Sequence, residues 1–129
     1  MLGITLLISG CASLGSQRED YARRLEQILA ECRTARGSGG YAAEALCGEK
    51  PIRRLYAEDD YPYMDLVDLY LAQWLAIARQ VDQGRLRVDE GHLQLKEQLV
   101  RMTNEATRRD GNHNHFRFLL LGLRPSLLD

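Results

Sequence analysis

Two groups of side chains in this 129-residue chain have the types and spacing to do chemistry. The first is Glu58-Asp59-Asp60 with Asp65 and Asp68, interleaved with Tyr56, Tyr61, Tyr63 and Tyr70. Tyrosine supplies large rigid contact area and an acidic rim steers association, so this constellation could dock a basic partner. The alternative is that the acids gather at the start of a helix, whose dipole favours them, with the tyrosines half-buried. Their spacing lacks the loop pattern of a calcium site. The second group is His113-Asn114-His115, since alternate histidines on an extended segment can share a metal ion, with His92 as a third imidazole. Nothing around the pair would orient the rings through a further shell of hydrogen bonds, so neither a metal nor another cofactor is expected.

The chain carries no Gly-rich phosphate loop, no serine elbow and no His-Glu-x-x-His run. Its carboxylates stand in charged contexts where no tuned pKa is expected, and the reading is non-enzymatic. Lys and Arg number 17 against 18 Asp and Glu, giving a net charge of -1. That balance leaves no broad basic surface for phosphate, so nucleic acid is not an expected partner.

A third chemistry belongs to Cys11, which closes the run Ile8-Ser9-Gly10-Cys11 behind the apolar stretch from Leu2 to Ile8. This run resembles the lipobox of bacterial lipoproteins. The resemblance implies removal of residues 1–10 as a signal peptide and lipidation of Cys11, for which small Ser9 and Gly10 admit the peptidase and the thiol accepts the diacylglyceryl group. No Lys or Arg precedes the apolar run, a departure from the positive opening of signal peptides. In enteric bacteria Asp after the lipidated cysteine retains lipoproteins in the inner membrane. Ala12 at that place therefore implies sorting to the outer membrane, facing the periplasm.

With Cys11 lipidated, Cys32 and Cys47 remain as an even pair in an oxidising compartment, and a disulfide between them is expected. It would close a loop of about 15 residues, for which chain entropy suggests roughly 3 kcal/mol. Two buried free thiols are the alternative. The intervening Arg36-Gly37-Ser38-Gly39-Gly40 is flexible enough to let the chain double back.

The elements that must position these groups read as helices. After a lipidated tether over residues 11–15, Ser16 and Glu19 form a capping box. Tyr21, Leu25, Ile28, Leu29 and Cys32 follow on one helical face, and Gly37 is a natural stop. Residues 41–60 read as a connector broken at Gly48, restarted at Pro51 and pinned by Cys47. A second helix starts near Pro62, buries Val67, Leu71, Trp74, Leu75 and Ala78, and ends at Gly84. Its apolar stripe is wide enough to make it the central helix. A third begins at Asp89 and Glu90, with Leu93, Leu99, Val100 and Met102 expected in the core, and stops at Asp110-Gly111-Asn112.

Short connections predict antiparallel packing. The expected fold is all-α: a small bundle built on an antiparallel helical hairpin with an additional N-terminal helix, over residues 16–112. An apolar tail, residues 113–129, is too short to span a bilayer and is expected to pack on the hairpin or meet a partner or membrane. The functional expectation is an outer-membrane-anchored periplasmic helical module that binds another envelope protein, through a helical groove or the acidic-tyrosine face, or serves a structural role in the envelope. A pilotin-like escort of a secretion or pilus component is an alternative, on a likeness of size, anchor and helicity alone. Metal handling in the periplasm is a further one, needing His92, His113 and His115 to converge.

Overall fold

The computed structural model describes residues 12–110, with side chains over residues 20–109. Cys11, His113, His115 and the tail over residues 113–129 lie outside the described residues. The chain forms α1 (Ala12–Glu58), α2 (Met64–Asp82) and α3 (Val88–Asp110), with no strand among the described residues. It is an all-helical bundle stapled by a Cys32–Cys47 disulfide, as its periodicity and cysteine count predict.

α1 is bent double. Its one residue of non-helical geometry is Gly40, at φ 74° and ψ -165°, and a second arm runs from there to Glu58. Cys32 and Cys47 join the arms with their Cα atoms 5.5 Å apart. Towards the bend, Arg36 Nε donates to Glu44 Oε2 at 2.6 Å. Away from it, Arg24 Nη2 pairs with Glu58 Oε2 at 2.8 Å, and the Tyr21 and Tyr56 rings meet edge to face. From Arg36–Glu44 through Cys32–Cys47 to Arg24–Glu58, numbers fall on one arm as they rise on the other, so the arms are antiparallel.

Several sequence expectations change here. α1 runs from Ala12, so the residues expected as a tether and the Ser16 start lie within helix. Gly37 does not stop it; the bend comes at Gly40, where a positive φ suits a residue without Cβ. The connector expected over residues 41–60 is helical as far as Glu58. Gly48 does not break this arm but admits the Trp74 ring, since a Cβ there would lie 2.9 Å from two ring atoms. Pro51 stays within the helix, although it cannot donate to the carbonyl of Cys47. Packing against α2 overrides both propensities: Ile52, Leu55 and Tyr56 of this arm are buried.

α2 is the central helix, packed against both α1 and α3. Antiparallel to the second arm, it places Asp68 on Arg53 at 2.8 Å and Trp74 over Gly48. It ends in a Schellman motif, with Arg85 N–H donating to the Gln80 carbonyl at 2.9 Å and Gly84 N–H to Val81 at 3.0 Å. Gly84 takes φ 70°. α3 then opens with Glu90 accepting from the Arg87 N–H at 2.9 Å, half of a capping box.

The core holds Tyr21, Leu25, Leu29, Ile52, Leu55, Tyr56, Val67, Tyr70, Leu71, Trp74, Ile77 and Leu95. Burying an aliphatic side chain of this kind stabilises by roughly 1.5–3 kcal/mol. Leu93 and Val100 do not join it, being 58% and 57% exposed. Both lie across α3 from the buried stripe Leu95, Leu99, Met102 and Ala106. Spacing of seven repeats a helical face without saying which face meets the core.

Candidate functional site

Two surfaces compete. The acidic-tyrosine group gathers near the turn between α1 and α2, but its parts are used internally. Tyr56 is 0% and Tyr61 6% exposed, so neither presents contact surface. Edge-to-face contacts run from Tyr21 to Tyr56, from Tyr56 to Tyr61 and from Tyr61 to Tyr63, and burial pushes the Tyr21, Tyr56 and Tyr70 hydroxyls up from their ordinary pKa. Glu58, Asp65 and Asp68 are exposed, yet each holds an arginine: Arg24, Arg109 and Arg53. Arg109 also lies over the Tyr63 ring, 5.6 Å from its centroid. Asp60 takes φ 51° in the turn, a conformation aspartate tolerates better than most residues. Only Asp59 and Asp60 of the acids are left without an ion pair among the described residues.

The second surface is a groove of about 300 Å³ between the arms of α1. The first arm supplies Arg24, Gln27, Ile28 and Glu31; the second supplies Lys50, Pro51, Arg54, Leu55 and Glu58. Both sets recur at three- and four-residue steps, so each is one helical face. Leu55 is buried and Ile28 and Pro51 are half-buried, which makes an apolar floor. The Arg24–Glu58 pair closes one end, and Gln27 donates to Glu31 at 3.2 Å along one wall. Lys50 and Arg54, one turn apart on the other wall, have no carboxylate partner among the described residues.

The chain matches no protein-family model, no curated protein and no solved structure.

Sequence reasoning missed Lys50, Pro51 and Arg54 because Gly48 and Pro51 made their segment read as a connector. Read as one helix, Lys50, Arg54 and Glu58 fall four apart, and that signal was available. His92 is half-buried on α3, and no group of three or more His, Cys, Asp or Glu that could hold a metal occurs among the described residues. No described helix is long and apolar enough to cross a membrane. Glu105 has its pKa lowered to about 2 by hydrogen bonds from Arg108 and then Arg109; with no cleft residue beside it, this is an ion-pair network on α3.

Proposed function

We propose that this protein is a lipid-anchored helical module of the bacterial envelope, held at the outer membrane by Cys11, which grips a segment of another envelope protein without catalysing a reaction. The groove between the arms of α1 is the observation that carries this reading. Its floor is apolar and its rim polar, the composition of peptide-binding grooves. The Cys32–Cys47 bridge holds the two walls at a set distance, so a bound segment meets a pre-formed site. A disulfide also suits an oxidising compartment. With α1 helical from Ala12, Ile28 stands roughly 24 Å along the helix axis from Ala12, at about 1.5 Å per residue. The groove would thus face the periplasm clear of lipid headgroups. A pilotin-like escort is the special case in which the gripped segment belongs to a secretion or pilus component.

The test is made in cells that express the full chain with a photoreactive residue at Gln27 in the groove or at Lys96 on the outer face of α3. Membrane-purified protein is weighed intact alongside a Cys11→Ser variant. The expected result is a lipidated species beginning at Cys11 and a discrete crosslinked protein from position 27 only. An unprocessed mass would remove the anchor, and equal crosslinking from both positions would remove the groove.

A further inference from the structure

We infer that the groove between the arms of α1 selects an acidic segment, one carrying an aliphatic side chain next to a carboxylate. This rests on the groove being the binding surface, as proposed above, and adds the chemistry of its occupant. Arg24 is neutralised by Glu58 at 2.8 Å, and Arg53, one residue from Arg54 but turned towards α2, by Asp68 at 2.8 Å. Lys50 and Arg54 are the exceptions: both line the groove, both are exposed, and neither has a carboxylate partner among the described residues. Two like charges one helical turn apart repel, and an incoming carboxylate would turn that repulsion into attraction.

The floor says what should accompany that carboxylate. Half-buried Ile28 and Pro51 present apolar surface beside the two cations, with buried Leu55 beneath them, and a cavity of about 300 Å³ has room for a branched aliphatic side chain and part of its backbone. Gln27, on the opposite wall, can hydrogen-bond a peptide group. Glu31 beside it would repel an acid placed on that wall and so orients the segment, carboxylate towards the second arm.

The full-length protein, purified from membranes and held on beads in detergent, is panned against a random peptide library. A Lys50→Glu/Arg54→Glu variant serves for counterselection and an Ile28→Glu variant as a second arm. Both substituted positions of the first variant are exposed, and an unchanged unfolding midpoint confirms that it folds. Enriched peptides are expected to carry Asp or Glu beside Leu, Ile or Val, to bind the double variant about 10-fold or more weakly, and to weaken as salt rises. Neutral or basic peptides that are lost only on Ile28→Glu would overturn the acidic preference and leave the groove standing. Peptides indifferent to all three substitutions, or no enrichment, would overturn the groove itself.

Discussion

Asp82 stands so close to Gly40 that a Cβ on the glycine would lie 2.6 Å from its carboxylate oxygen Oδ1. The same carboxylate accepts from the N–H groups of Tyr41 and Ala42, each at 2.9 Å, which open the second arm of α1. The last residue of α2 thus caps a helix start that has no capping side chain of its own. The bend therefore needs both partners: a glycine that tolerates φ 74° and leaves room, and an acid delivered from another helix.

Gly40→Ala should destabilise the protein by about 1–3 kcal/mol, because it adds backbone strain and a clash. Gly84→Ala should cost less, about 1 kcal/mol, since Gly84 shares the positive φ but has nothing within 4 Å of its Cβ position. Asp82→Ala should cost about 0.5–2 kcal/mol, as expected for a lost cap. Urea midpoints of the three variants check the order; an equal loss at both glycines would show that Asp82 does not crowd Gly40.

Reducing Cys32–Cys47, a bridge with sequence separation 15, should lower stability by roughly 3 kcal/mol. Cys32→Ser/Cys47→Ser should unfold at the denaturant midpoint of the reduced wild type. If the reduced protein keeps its midpoint, the antiparallel arms hold without the bridge, and the groove needs no covalent brace.

On α3 the two apolar stripes should separate cleanly. Leu95→Ala should cost about 2–5 kcal/mol through the cavity it leaves, whereas Leu93→Gln and Val100→Gln should stay within about 0.5 kcal/mol. Thermal unfolding of the three variants is the measurement. A large loss from either glutamine variant would mean that something covers the outer face of α3.

Alkaline pH should unfold the protein through its tyrosines. Burial, the leading cause at Tyr21, Tyr56 and Tyr70, raises their pKa above the ordinary value, so the folded state resists their ionisation. The stability they contribute is complete below pH ~10 and is lost as pH rises above it, because the unfolded chain releases those protons first. In a Tyr41→Phe/Tyr61→Phe/Tyr63→Phe variant, which keeps only these three tyrosines, phenolate absorbance and helical circular dichroism should change together in a pH titration. Phenolate formation in a chain that stays folded would show these hydroxyls to be wet.

Glu105 acts at the other end of the scale. Its carboxyl is held at about 2 by Arg108 and Arg109, so its contribution is present above its ordinary 4.5 and lost as pH falls towards 2. The carboxylate is half-buried but its Arg108 partner is exposed, and salt screens the pair, so the effect should be small. Glu105→Gln should flatten the acid limb of the stability profile between those values, and added salt should flatten it in the wild type. An unchanged limb would assign acid loss to other carboxylates.

The helical class, the central role of α2, its end at Gly84, the apolar face of the first arm and the cysteine pairing could all be read from the chain. Each follows from local periodicity, turn chemistry or cysteine count, which depend on residues near one another in sequence. Three features could not. Gly48 and Pro51 lie inside a helix because Trp74 packs on one and buried Ile52 and Leu55 flank the other, contacts from distant segments that outweigh propensity. Leu95 rather than Leu93 faces the core, because which of two equal stripes turns inward depends on what stands opposite. The groove exists because Gly40 and Asp82 fold α1 back on itself, bringing Arg24 and Ile28 to face Arg54 and Leu55. Local sequence decides which segments become helices, and only the packing of those helices decides which of their faces remain to bind.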